Sequence, residues 1–440
     1  MTAPGKTGGW QNWGRSAAMT FAEVRTPADE SEVAAVLLSA KASGRRVRPL
    51  GAGHSFTPIA VTEGVSLRLD RLSGVRSADR SSGLVTVGAG IRLRDLSVLL
   101  RTHGLALENT GDIDAQTLAG AISTGTHGTG ARFTGLAGQV RAMRMVLADG
   151  SVVTCSADQR SDLFEAARVG LGAFGVLTEV TLQCVPEFLL SADEHPEPLD
   201  GVLDGFAERM AATDHVEFYW FPHTDTALVK SNTRMPVDTP GHPIPLWRNI
   251  IDDELMSNGV FAVTCLLGST VPSLIPTVNR AAAHLVSDRA YTDQSHRVFT
   301  SRRRVRFREM EYALPLAELP DALRAVRRLI ADRGWRISFP MEIRVAAADD
   351  VWLSTAYGRD TAYLAVHRYY REPFAEFFTA VEHVLTGVGG RPHWGKLHTL
   401  DSEALAPLYP RFDDALRVRD EVDPNRVFGN DYLERVLCRG

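Results

Sequence analysis

Between residues 110 and 135 the chain reads TGDIDAQTLAGAISTGTHGTGARFTG, crowded with glycine, threonine and serine and short of large apolar side chains. A segment of this composition cannot build a core of its own, so it must lie as a wall against something else. An earlier turn, RPLGAGHSFTPIA at 48–60, has the same texture and carries a histidine, His54, at its tip. A dinucleotide fold with a GxGxxG turn opening a helix is the first reading to test. Here Phe56 stands where the third glycine belongs and Pro58 follows, so that reading fails. What remains is a plain structural turn or a different kind of phosphate loop, in which successive backbone N–H groups of small residues form an anion nest. Two such loops can clasp a pyrophosphate from both sides, and the small-residue wall suits a flat ring system. His127, in THGTG, has no companion at i±2 to i±4, so the sequence offers no metal site.

The rest of the composition is that of a globular enzyme. A length of 440 residues predicts two or three domains, and 44% hydrophobic with 23% charged residues is ordinary for a soluble protein. With 48 basic and 53 acidic residues the net charge is -5, which argues against a nucleic-acid partner. The basic run SRRRVRFRE (301–309) reads as a solvated strand or loop edge. Cys155, Cys184, Cys265 and Cys438 are scattered, which predicts neither a disulfide framework nor structural zinc and suits a reducing cytoplasm. The first residues lack the apolar core of a signal peptide, and no stretch approaches the ~18 consecutive apolar residues of a membrane span.

Along the chain, ADESEVAAVLLSAKASG (28–44) predicts a helix capped by Asp29 or Ser31, and RLRDLSVLLRTHGLAL a second that ends at Gly104. VSLRLDRL and GLVTVGAG read as strands, VRAMRMVLADGSVVTCS as a hairpin turning at Asp149–Gly150, and LGAFGVLTEVTLQCVP as a glycine bend entering a strand. Prolines and acids at 186–200 mark a boundary. Beyond it, helices such as LPDALRAVRRLIADRG mix with strands read at HVEFYWFP, FAVTCLLG and AYLAVHRYY, which predicts an α+β unit with an antiparallel sheet. In FPMEIRVAAADD, Glu342 and Arg344 stand two apart on a strand and therefore share a face.

RVRPLGAGHSF, AGAISTGTHGTG, LGAFGVLTEVTL and RPHWGK, in that order, resemble the vanillyl-alcohol-oxidase-type (PCMH-type) FAD flavoproteins, within them the sugar-lactone and alditol oxidase branch. The resemblance runs from NWGR to DPNRVFGNDY, and LENTGDID and MEYALP lean towards its gulonolactone-type members. It implies an FAD-binding domain over 1–186, a cap (substrate) domain over 187–400 and a C-terminal segment, 401–440, returning to the first. It implies FAD, covalently joined through His54 to the flavin 8α carbon. Pro49, Leu50, Gly51, Ala52, Gly53, Ser55, Gly111, Asp112, Thr117, Gly120, Ser123, Thr124, Gly125, His127, Gly128, Gly175, Val180 and Lys396 would complete the cofactor site. Glu342, Arg344, Lys396 and His367 would form the catalytic face. Gly111 falls where the family's small residue controls oxygen access, and Asp112 where alditol oxidases carry serine. The implied reaction is oxidation of a secondary alcohol on a sugar lactone, with O2 or another acceptor taking the electrons. The alternatives are a polyol substrate, a tailoring oxidase of specialised metabolism, or a flavin-holding protein without turnover.

Overall fold

Asp29 caps the helix Glu30–Ala42 by accepting a hydrogen bond from the Glu32 amide at 2.9 Å, and the acids of that first turn suit the positive end of the helix dipole. The buried Val33, Leu37 and Ala40 of this helix press on a small parallel sheet whose strands, Glu23–Arg25, Val65–Leu67 and Val47–Pro49, lie side by side in that order. The computed structural model describes residues 8–245, 265–266, 268, 270–285, 288–301, 303 and 305–439. Because the Val47–Pro49 strand runs directly into the GAGHS turn, the parallel sheet decides where that turn stands.

An antiparallel five-stranded sheet follows, ordered 152–156, 140–146, 176–183, 84–88, 75–79. Its hairpin turns at Asp149–Gly150, where Gly150 has a φ of +83° that a side chain would strain. The core under this sheet holds Val85, Leu96, Leu118, Met143 and Val180, together with Tyr409, Phe412, Tyr432 and Val436 from the end of the chain. Val351, Trp352, Leu353 and Trp394 are buried in the same core.

The remaining architecture is one eight-stranded antiparallel sheet, in the order Arg289–Gln294, Leu189–Pro198, Thr226–Met235, His215–Trp220, Met341–Ala346, Thr361–Tyr369, Phe307–Pro315, Arg391–Pro392. The fold is α+β. One face of the four central strands carries Val216, Phe218, Met341, Ile343, Val345, Leu364, Val366, Met310 and Tyr312, packed against the helices Leu319–Arg333 and Ala375–Gly387. Period-two alternation sends Glu217, Tyr219, Glu342, Arg344, Tyr363, His367, Glu309 and Glu311 to the other face. Those residues are buried as well, except Tyr219, which is half-buried. One expected strand is corrected: in FAVTCLLG, residues 261–264 lie outside the described residues, while Cys265, Leu266 and Gly268 are helical. No helix among the described residues is long and apolar enough to cross a membrane.

Two side chains tie the end of the chain to the GAGHS turn. The Asn430 amide donates to the carbonyls of Pro58, Ile59 and Val61. Arg48, fully buried, donates to the carbonyls of Ile59 (2.9 Å), Gly172 (2.9 Å), Leu171 (2.8 Å) and Phe428 (2.7 Å). Burial, followed by the neighbouring Arg419, pulls its guanidinium down to about 9. Replacing Arg48 with methionine leaves four carbonyls without their donor, and the expected loss is about 2–4 kcal/mol of stability. Urea unfolding followed by circular dichroism measures it; an unchanged midpoint would show that these bonds do not hold the turn.

Candidate active site

A cleft of about 950 Å³, open to solvent at its mouth, separates the GAGHS turn from the 116–124 segment and the 171–177 turn. Pro49, Leu50, Gly51, Ala52, Gly53, His54 and Ser55 line one side; Thr117, Gly120, Ser123, Thr124 and Gly175 line the other. Trp10, Arg48, Gln116, Leu171 and Gly172 also line it. All but Trp10 lie within the glycine-rich stretches quoted from the sequence, though none of the five was named as a cofactor residue. The amides of residues 51–55 donate to no backbone acceptor among the described residues, which is the condition for an anion nest. A Cβ on Gly51 would stand 2.6 Å from Thr117 Oγ1, so the two loops meet there only because that position is bare.

His54 is half-buried, with its ring stacked 6.0 Å from that of Trp13. Burial, then Arg92, pulls the ring down to about 4, so at neutral pH it is uncharged. The turn is pinned to the end of the large sheet: the Phe56 amide donates to Gly395 O at 2.7 Å and Thr57 Oγ1 to Trp394 O at 3.2 Å. Lys396 therefore comes within 5.4 Å of the centre of the Phe56 ring.

The other predicted cofactor residues do not line the cleft. Gly125, at φ +76°, turns the chain after the wall segment. Gly128 is wedged so tightly that a Cβ would meet Asn109 Oδ1 at 2.3 Å and Thr110 O at 2.4 Å. A Cβ on Gly111 would lie 2.9 Å from Thr126 Cγ2 and 3.1 Å from His127 O, so the side its missing methyl would take is packed protein. Val180 sits in the core of the five-stranded sheet. Asp112, His127 and Lys396 belong to a second region, the charged face of the large sheet.

On that face, cross-strand register places Tyr219 beside Glu342, Glu342 beside Ala365, Arg344 beside Tyr363 and Glu309 beside His367. Arg344 meets three carboxylates: Nε donates to Glu217 Oε2 at 2.8 Å, Nη2 pairs with Glu342 Oε1, and Nη1 lies 3.7 Å from Asp112 Oδ1. The Tyr219 hydroxyl also donates to Glu342 Oε1, at 3.0 Å. Burial opposes charge on Arg344, but Glu342, Glu217 and Asp112 outweigh it and raise its pKa well above the ordinary range. Burial would likewise raise the Asp112 carboxyl, yet Arg344, Arg303 and Lys396 hold it well below. Glu342 behaves differently: burial raises it, and Arg344 offsets only part of that. Arg303, from the run expected to be a solvated edge, donates to Asp112 Oδ2 at 3.0 Å. Arg303 is exposed, as expected of an edge, while also reaching a carboxylate of the site; the expectation is corrected at Glu309, which is buried.

A second chain of charges adjoins the first. Lys396 pairs with Glu309 and lies 4.0 Å from Glu311, while His127 Nε2 is 2.7 Å from Glu311 Oε1 and Nδ1 2.9 Å from Gly128 O. Both ring nitrogens of His127 are thus engaged by protein oxygens. Burial lowers the Lys396 ammonium, but Glu309 and then Glu311 reverse this, so it stays a cation. His127 stacks on Tyr363 with centroids 3.5 Å apart. Possible metal-binding atoms of His127, Glu311 and His393 cluster within 4.8 Å, as do those of Glu309, Glu342 and His367. The His393 Nδ1 accepts from the Gly395 amide at 3.0 Å and Lys396 stands beside Glu311, so the first cluster is already occupied by hydrogen bonds and a cation. Glu217, Tyr219, Arg303, Glu309, Glu311 and His393 were not expected from the sequence.

Comparison with known proteins agrees with this layout. A model of the D-arabinono-1,4-lactone oxidase family matches residues 180–436, and a model of an FAD binding domain matches residues 21–156. The chain is 42% identical over 428 residues to the L-gulono-1,4-lactone dehydrogenase of Mycobacterium tuberculosis, covering 97% of this chain and 99% of that protein. It is 32% identical over 435 residues to the L-gulonolactone oxidase of Mus musculus (97% and 98% covered). To the alditol oxidase of a Streptomyces species it is 33% identical over 444 residues (97% and 98%). Among solved structures, a cholesterol oxidase from B. sterolicum superposes with a TM-score of 0.83 at 19% identity, covering 99% of this chain and 97% of that one.

Lys396 offers a direct test of the charged face. Its ammonium holds Glu309, and after His127 also Glu311, below the ordinary carboxylate range despite burial, so their stabilisation is present above pH ~4.3 and is lost as pH falls further. Lys396→Met leaves two adjacent buried carboxylates without their common cation. The expected cost is about 3 kcal/mol at pH 7, shrinking towards pH 4–5 as the freed carboxylates take up protons. Urea midpoints of both proteins across that range decide it; a constant difference would mean that Lys396 does not neutralise the pair.

Proposed function

The chain belongs to the D-arabinono-1,4-lactone oxidase family of FAD-dependent lactone oxidoreductases, and we propose that it oxidises a ring carbinol of an aldono-1,4-lactone of the L-gulono-1,4-lactone kind. The observation that carries this reading is the buried Glu342–Arg344 pair, joined through Asp112 to the segment before the glycine wall and facing the Lys396 that packs on the GAGHS turn. The cleft fits FAD on its own geometry: unpaired amides at 51–55 suit the pyrophosphate, and the bare Gly51 keeps the loops close. Bound there, FAD supplies the acceptor for the hydride that leaves the substrate carbon.

The protein's own part is positioning and charge. Glu342 accepts hydrogen bonds from substrate hydroxyls and so orients the reacting carbon. Arg344, saturated on one side by carboxylates, keeps a fixed positive charge in a dry site, where it stabilises negative charge developing on the substrate side of the reaction. Lys396, held cationic, does the same from the GAGHS side. A neutral, polyhydroxylated ring suits a face that offers acceptors and donors in alternation. His54 forms the covalent flavin link: its ring is uncharged, stands in the cleft, and makes no hydrogen bond to protein among the described residues, so a nitrogen lone pair is available. O2 or another acceptor takes the electrons at the end of the cycle.

Three measurements test this. A panel of aldono-1,4-lactones and open-chain polyols is scored by anaerobic bleaching of the flavin, and then air is admitted; bleaching by polyols alone would move the substrate assignment to the alditol class. His54→Ala is expected to release its flavin into the supernatant on acid precipitation, whereas the wild type retains it in the pellet. Flavin free in the wild-type supernatant would remove the covalent link. Arg344→Ala is expected to slow flavin reduction about 100-fold, the equivalent of ~3 kcal/mol of transition-state interaction; a near-normal rate would exclude Arg344 from the chemistry.

A further inference from the structure

Oxidising a carbinol requires that its hydroxyl proton go somewhere, and most groups on the charged face are already committed. Lys396 is a cation bound to Glu309. Glu309 and Glu311 are held ionised by Lys396 and His127, and Asp112 by two guanidiniums. The Tyr219 hydroxyl spends its proton on Glu342, whose Oε1 also pairs with Arg344.

His367 is placed differently. Its Nδ1 lies 3.0 Å from the Pro340 carbonyl, which can only accept, so Nδ1 carries the hydrogen and the neutral ring presents its lone pair at Nε2. Nε2 stands 3.6 Å from Glu309 Oε1, beyond a hydrogen bond but within an ion pair once the ring is protonated. The Phe307 ring, edge-on at 4.9 Å, and Phe339 at 6.2 Å fix the plane of the imidazole. The groups facing it are Glu309 from one neighbouring strand, Glu342 from the other, and Lys396 behind Glu309. Arg368, next on its own strand, turns away to donate to the Arg336 carbonyl. In the adjoining row the register sets Ala365 between Glu342 and Glu311. That methyl is the least bulky side chain in the middle of the face, and it adjoins His367 along the strand.

We propose that His367, oriented by Pro340 and backed by Glu309, is the base that takes the proton of the substrate hydroxyl. The inference rests on the reading of this site as one that oxidises a carbinol. The balance is simple: the C–H pair leaves as hydride to the bound FAD, the O–H bond breaks, C=O forms, and an N–H forms at His367 Nε2. Glu309 Oε1, 3.6 Å from Nε2, then faces the new imidazolium as carboxylate to cation. The proton returns to solvent before the next turnover.

The test is the pH dependence of anaerobic flavin reduction in the holoenzyme. In the wild type the rate is expected to rise through one ionisation and then level. His367→Gln, which keeps the bulk and the polar tip, is expected to lower it about 100- to 10,000-fold and abolish that ionisation, with substrate affinity, read from the flavin spectrum, nearly unchanged. His367→Gly is expected to regain rate on addition of imidazole, which a merely structural role would not produce. Glu342→Gln is expected to weaken substrate affinity while keeping the pH profile. A wild-type rate and profile in His367→Gln, or an imidazole-insensitive His367→Gly that still binds substrate and flavin normally, overturns the proposal while leaving the lactone reading intact. If only polyols bleach the wild type, the lactone reading fails instead, and the same variants assayed on the polyol still decide the role of His367.

Discussion

Besides the pins at Phe56 and Thr57, the glycine cleft and the charged sheet face are joined by three residues, Gly128, Thr129 and Gly130. The Gly130 amide donates to Val345 O at 2.9 Å, the Val345 amide donates to Thr129 Oγ1 at 3.2 Å, and that same hydroxyl donates to Val216 O. His215 Nδ1 donates to Thr129 O at 2.7 Å. One short loop thus bonds two of the strands that carry the site, 215–220 and 341–346. The glycines are required by space and by dihedral angle: a Cβ on Gly130, at φ +132°, would meet Asp214 O at 2.6 Å, and one on Gly128 would strike Asn109 and Thr110. A side chain at 130 would press on the start of the 215–220 strand, and one at 128 on the 109–110 segment just before Asp112.

What the seam delivers to the cleft is an uncommon thing, a sheet face that is buried and charged. Removing one ion from water costs several kcal/mol, and a single buried pair seldom recovers it. Here the groups are arranged as runs of alternating sign, Arg303–Asp112–Arg344–Glu217 and Glu311–Lys396–Glu309, so each charge has neighbours of the other sign. Such runs still cost more than an apolar face of the same area. The opposite face of the same strands shows that the sequence can supply one. The return is a fixed field in a low dielectric, ready before substrate arrives, which is how oriented dipoles and charges lower a barrier most effectively.

The parts of this arrangement that a reader of the sequence can see are those whose residues announce themselves locally. GAGHS and STGTHGTG betray a cradle by lacking side chains, and MEIR betrays a functional face by putting two opposite charges at strand spacing. The acids at 309 and 311 sit in FREMEYALP with the same alternation as any half-exposed strand. Nothing in that pattern says that solvent is absent; only the register with the 361–369 strand and the approach of Lys396 make them site residues. His127 lacks a partner at helical or strand spacing because its partner, Glu311, comes from across the molecule. Cys265, Leu266 and Gly268, helical where a strand is expected, show the opposite limit: a short apolar run has no periodicity to separate helix from strand.

Asp112 shows how far one unannounced contact can alter the meaning of a motif. Read alone, SRRRVRFRE is a basic edge, and the resemblance makes Asp112 a cofactor residue that departs from the serine of alditol oxidases. In the fold each accounts for the other: the Ser301 amide donates to Asp112 O at 3.0 Å, and Arg303 donates to its carboxylate. Serine at 112 would offer no charge to Arg303 and none to Arg344, so two guanidiniums would face each other across the mouth of the site. The aspartate and the arginine therefore form one unit. Its physical consequence is a donor-rich edge on an otherwise acid-rich face, and an acceptor such as a lactone carbonyl can meet it where a hydroxyl-only chain gains less.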